Sequence, residues 1–294
     1  MSTGQGEGDK PAKERNPVVT GAAMLVVAII VICAVVAVVL RFSGDSDDSS
    51  PATETPRPSV TALPSTGPTA VPNTDGAMQG LGTPTVDRLG RRVDIPKWPG
   101  GWALPQSPID YGPYNPAVPV PAPAGVSWQK VNDGAIVPFS TSDGPSTVQG
   151  LTATGFAHTP QGAALAAVQI ALRLGSANNE TARGIYDNQT VMTAAQRSEL
   201  YAQLDAEGPF HRGATDAALS YQTKSDAFRI LDYDQDLAVI ETASPAEKAD
   251  NGTAQWLTTR LTATWVDGDW KLTFPEQLGD LSGTATSLSG WTPW

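Results

Sequence analysis

WLTTRLTATWVDGDWKLTF, residues 256–274, alternates apolar and polar side chains on both sides of Asp267-Gly268. A two-residue Asp-Gly turn suits a tight hairpin, because its backbone twist matches that of the flanking strands. With that turn Trp265 faces Trp270, Ala263 faces Leu272 and Leu261 faces Phe274, while Arg260, Thr262, Thr264, Lys271 and Thr273 share the other face. One register puts the apolar residues of both strands on one side, so the stretch reads as a half-buried antiparallel hairpin. Upstream, FRILDY and LAVIET flank Asp234-Gln235-Asp236, and a three-residue loop sets Arg229 opposite Glu241 as a favourable cross-strand pair.

Helical signals precede the strands. In GFAHTPQGAALAAVQIALRLG, Thr159 can cap a helix, Pro160 fits its first position and Gly175 supplies a stop, which predicts a helix over 160–174. Its polar residues Gln161, Gln169 and Arg173 form one narrow strip, so most of the circumference should be buried. A second helix is predicted over 180–188. A third starts at Thr193, where Thr193 and Gln196 make a capping-box pattern, and runs to about Ala206. Helices followed by antiparallel strands predict an α+β fold in which a curved sheet wraps one long apolar helix, over residues 126–278 with a Gly/Ser/Trp tail at 279–294.

That arrangement resembles the cone-shaped fold of the nuclear transport factor 2 superfamily. The W-x-DGDWKL hairpin, behind an apolar span and a loose spacer, resembles the TcpC family of Gram-positive conjugative-transfer proteins and the bitopic core subunit of type IV secretion systems. GFAHTPQGAALAAVQIALR is similar to a segment of actinobacterial mobile-element membrane proteins. The likeness covers about 128–274. It implies a non-enzymatic assembly subunit whose partners are the membrane, other envelope or channel proteins, and further copies of itself. The conjugation proteins can carry two such domains, and one is visible here.

The apolar span is VVTGAAMLVVAIIVICAVVAVVL, 23 uncharged residues at 18–40. As a helix it rises about 34 Å, against a hydrocarbon core of about 30 Å. Lys10, Lys13 and Arg15 precede it, and Asp45, Asp47 and Asp48 follow, so the positive-inside tendency predicts a single-pass membrane protein with residues 1–17 cytoplasmic and the C-terminal domain outside. The span is longer than a cleaved signal's apolar region, and Ile32 before Cys33 is not the small residue a lipid-attachment motif needs. LPSTG at 63–67 matches a sortase motif, but cutting there would release the folded part, so it reads as a chance match in a linker. Residues 41–125 are rich in Pro, Ser, Thr and Gly and read as a disordered spacer. The exception is 91–116, whose Trp98, Trp102, Tyr111 and Tyr114 could dock on the folded domain or on a partner.

A formal charge of -11 repels phosphate backbones and argues against direct nucleic-acid binding. Cys33 is the only cysteine, which leaves the rest of the chain no thiol chemistry. His158 and His211 are the only side chains that titrate near neutral pH unperturbed, one beside a helix cap and one in a loop. Asp232, Asp234 and Asp236 mimic the start of a calcium loop, but Leu237 and Ala243 stand where Gly and Glu are needed. No cofactor, metal or catalytic residue is therefore expected. Asn179, Asn188 and Asn251 head glycosylation sequons of no fixed meaning. His158, Trp265, Trp270 and Phe274 are expected to line a cone pocket or core, and Trp256, Trp291 and Trp294 to contact a partner. Two other functions stay open: a small-ligand-binding or enzymatic cone, and an envelope scaffold or sensor unrelated to conjugation.

Overall fold

The computed structural model describes residues 79–132, 134–246, 248, 252–275 and 281–294. Three small hairpins come first: β1 (Thr85–Val86) with β2 (Arg92–Val93), β3 (Ser127–Val131) with β4 (Ala135–Phe139), and β5 (Thr147–Gln149) with β6 (Thr152–Thr154). Then come α1 (Pro160–Ser176), α2 (Asn179–Gln189), β7 (Thr190–Val191), α3 (Ala194–Glu207) and α4 (Asp216–Ser220). The chain ends with β8 (Ala227–Asp234), β9 (Leu237–Pro245), β10 (Trp256–Val266), β11 (Asp269–Thr273), β12 (Ser282–Ala285) and β13 (Thr292–Pro293).

The main sheet has seven strands in the order β13-β8-β9-β10-β11-β7, and the long β10 carries β12 beside its first half and β11 beside its second. Its register has Trp265 opposite Trp270, Ala263 opposite Leu272 and Arg229 opposite Glu241. Thr159 caps α1 through Gly162 N–H at 2.9 Å, and Thr193 and Gln196 close a reciprocal capping box on α3. Gly175, expected as a stop, lies inside α1, which ends at Ser176. The backbone turn between β8 and β9 is two residues, because Asp234 pairs directly with Leu237.

The architecture expected from the sequence needs correcting in three ways. First, the folded part is mostly sheet, with four helices among the described residues, and α1 is not simply wrapped by one sheet. It lies against β9, β10 and β11, and β4 covers it where that sheet does not reach. The reason is its apolar circumference: Ala163, Ala164, Leu165, Ala166, Ala167 and Ile170 are all fully buried, which one sheet face cannot achieve. Its polar strip is buried too. Gln161 donates to Pro121 O, Gln169 to Pro138 O, and Arg173 to Gln169 Oε1 and Leu151 O.

Second, the spacer expected over 41–125 is ordered from residue 79 on. Its aromatic residues reach the core, with Leu104 buried and Trp98 and Trp102 packed beside it. Backbone groups find partners as well. The Gln129 amide donates to Trp102 O at 2.9 Å while accepting from Trp102 N–H at 2.8 Å, a side chain standing in for a neighbouring strand. At Gly101, with φ +112°, an added Cβ would lie 2.5 Å from the Phe139 ring, so only glycine allows the approach. The buried Asp143 carboxylate accepts from Tyr111, Ser142 and Thr159 hydroxyls at 2.9, 2.5 and 2.7 Å, tying this strap to the cap of α1. Arg91 bridges Asp87 and Asp226, fastening the β1–β2 turn to the start of β8.

Third, the expected single-pass placement, cell-membrane localisation and external C-terminal domain do not stand. Among the described residues no helix is long and apolar enough to cross a membrane. Residues 1–17, the span at 18–40 and LPSTG at 63–67 lie outside the described residues.

Candidate functional site

Strand β8 occupies one flank of the main sheet. On its outer side β13 pairs only with Phe228 and Ala227, so beyond Phe228 that edge meets no further strand among the described residues. A β-bulge interrupts the β8–β9 ladder at Leu231. Ile230 packs against the core, and Leu231 is left 39% exposed. The extra residue turns one apolar side chain toward solvent at the edge.

The strap forms the facing wall. Residues 115–119 are exposed, Val118 by 57%, and Thr292 Oγ1 donates to Val120 O at 2.6 Å, holding the strap beside β13. Between them runs a groove of about 340 Å³ lined by Tyr114, Val118, Val120, Arg229, Ile230 and Leu231. Arg229, one of the lining residues, is already occupied. It bonds Glu241 through Nε at 2.7 Å and lies 4.5 Å over the Trp291 ring.

Aromatic rings continue from the groove around the end of the sheet. Tyr114 meets Tyr233 edge-on at 5.2 Å, Tyr233 meets Trp270 at 6.2 Å, and Trp270 meets Trp265 at 5.4 Å. His158 stacks on Trp265 at 4.0 Å with its Nε2 3.0 Å from Gln235 O and 3.1 Å from Asp236 Oδ1. Burial, followed by the nearby Asp232, raises the Tyr114 phenol, and burial followed by Asp236 raises that of Tyr233. Both therefore stay neutral hydroxyls at physiological pH, able to donate a hydrogen bond. Asp232 and Asp234, both exposed, make no ion pair among the described residues.

The residues singled out in the sequence fall into several places. His158, Trp265 and Trp270 come together, but Trp270 is 1% exposed and donates to Ala157 O, filling the space beside α1 instead of bordering a cavity. Phe274 lies apart, edge-on to Tyr186 at 6.3 Å. The three tryptophans expected at a partner contact engage their own chain. Trp256 donates to Asp226 and packs against the buried group of Ala227, Ala243 and Trp291. Trp294 sits 4.4 Å from Phe228 and 5.8 Å from Trp128. The tail is thus held by strand pairing and aromatic packing against β8. His211 lies 3.7 Å from Glu207 in the loop after α3, far in sequence from the other histidine and outside the aromatic run. Among the described residues no group of three or more His, Cys, Asp or Glu side chains is arranged to hold a metal.

Sequence reasoning missed the groove because one wall is the strap, read as a spacer. One local signal was present: in FRILDYD the consecutive Ile230-Leu231 breaks the period-two alternation where the bulge occurs.

Residues 94–293 match the model of a family described as a domain of unknown function, DUF8175, and the chain belongs to that family. No curated protein and no solved structure matches it.

Proposed function

We propose that this member of the family is a protein-binding module of a larger assembly, and that a partner docks along the outer edge of β8. The observation that carries the reading is the coincidence of an open strand edge with a groove in which Val118 and Leu231 expose apolar side chains. Unpaired strand groups are a ready template for another chain, and exposed apolar side chains beside them provide area to bury. The neutral Tyr114 and Tyr233 phenols add the polar tips on apolar bodies that protein interfaces favour.

The TcpC-like resemblance supplies one concrete form of this reading, a non-enzymatic subunit of a conjugation or type IV secretion-like channel. Its channel subunits and coupling ATPase are then the partners to look for. A photoreactive residue at position 231 of the full chain, irradiated in cells, should give a discrete adduct. The protein identified should rebind the purified chain and lose affinity for Leu231→Asp. Adducts confined to the chain itself, or binding indifferent to Leu231→Asp, would refute the proposal.

A further inference from the structure

We infer that the occupant of the β8 edge is an extended segment of another protein, apolar at one position and basic at those beyond it, which adds to the sheet as a further strand. The inference rests on the protein-binding reading above and names the partner's chemistry.

Three features of the edge select that chemistry. Backbone pairing is already begun there: β13 lies antiparallel to β8 at Phe228 and Ala227 and then ends, leaving the row that follows for another strand to continue. Main-chain hydrogen bonds supply affinity in strand addition, and pockets for alternate side chains supply choice. The groove is such a pocket: its lining is mixed, and Val118 and Leu231 expose the apolar side chains against which an aliphatic residue of the added strand would pack.

Charge decides the rest. Past the groove the strand carries Asp232 and Asp234, and the turn carries Asp236, whose only ionic neighbour among the described residues is His158. Asp232 directly follows Leu231, which lines the groove, and is itself exposed, so its carboxylate stands next to the groove. Arg229, the cation among the lining residues, is engaged by Glu241 and Trp291 and leaves the aspartates unneutralised. A second copy presenting the same edge would bring like charges face to face, and the bulge at Leu231 would mismatch its register. The edge is guarded against itself and complementary to a strand with lysine or arginine. Such a strand would set its cations against Asp232 and Asp234 and its apolar residue in the groove.

The probe is an acetylated peptide alternating valine with lysine, titrated into the full chain and followed by amide hydrogen exchange. Binding should slow exchange at 229–234. Asp232→Asn with Asp234→Asn should weaken it about three- to tenfold and make what binding remains less sensitive to salt than the wild type's. Methylating the peptide nitrogens that face the edge should weaken it about tenfold, since each lost backbone bond removes a donor without changing charge. A glutamate-for-lysine peptide that binds equally well would overturn the charge assignment. Equal binding of the methylated peptide would overturn strand addition. No peptide binding together with a productive position-231 adduct would sink this inference and leave the protein-binding reading standing, whereas failure of both would remove both. Protection at 229–234 in the unliganded full chain, lost on deleting residues 1–78, would assign the edge to the chain's own N-terminal segment instead.

Discussion

Replacing Arg173 by methionine should make the protein more stable. The guanidinium is wholly buried in the core, and burial alone brings its pKa down to about 9. A shift of that size from the ordinary arginine range corresponds to about 5 kcal/mol of charging penalty carried by the folded state at neutral pH. Against this, Nε donates to Gln169 Oε1 at 3.0 Å and one terminal nitrogen to Leu151 O at 2.9 Å, while the other has no partner. Methionine would leave the buried Gln169 oxygen unpaired, at about 1–3 kcal/mol, while Leu151, only half-buried, can turn its carbonyl to water. The flexible thioether fills much of the vacated volume. The net expectation is a gain of about 1–3 kcal/mol, or about 2–10 °C in Tm for a domain of this size, read by urea and thermal unfolding with tryptophan fluorescence. A methionine variant that loses more than about 2 kcal/mol would refute the reasoning.

Gly162→Ala should destabilise by about 1–3 kcal/mol although alanine is the better helix former, because its Cβ would lie 2.0 Å from Ala157 O and push the loop that carries the Thr159 cap. Denaturant midpoints would decide it, and a stabilised variant would show that the loop yields freely. Tyr111→Phe removes one hydrogen bond to the buried Asp143 carboxylate and should lose about 1.5–3 kcal/mol, with faster proteolysis within 105–125; unchanged cleavage would mean the strap is held elsewhere. Trp294→Ala should lose about 3–5 kcal/mol, whereas Trp294→Phe should lose clearly less because the indole nitrogen is buried without a partner and phenylalanine has none to satisfy.

The parts legible in the sequence are those whose causes lie within about twenty residues. The Asp267-Gly268 turn sets Trp265 against Trp270, and Thr193 with Gln196 starts α3, because in each case the partner is a near neighbour along the chain. Arg229 against Glu241 belongs to the same class. The strap was legible only at Trp98, Trp102, Tyr111 and Tyr114, which the sequence marked as able to dock on the folded domain and which do so; the rest of it was hidden for the opposite reason. Composition measures what a segment can bury by itself, and residues 79–125 bury little that way. Their order comes from Trp98 reaching Gly150, Gln129 bonding both backbone groups of Trp102, and Tyr111 reaching Asp143, across separations of 27 to 52 residues. The same distance effect hid the burial of Arg173, since a polar strip on a helix looks solvated until a second layer covers it.

The candidate site inherits that asymmetry. Strand β8 was readable, and so was the interruption at Ile230-Leu231, but an edge strand alone does not specify what may pair with it. Specificity enters with the strap, which turns an open edge into one side of a groove, and with Asp232 and Asp234, which look like ordinary turn acids until Arg229 is seen to be committed to Glu241 and Trp291. Because the strap is fastened at Tyr111 and Thr292 on either side of the groove, loosening either anchor should widen the groove before it unfolds the sheet. On the proposed reading, partner binding at β8 and strap attachment would be coupled through the same few hydrogen bonds.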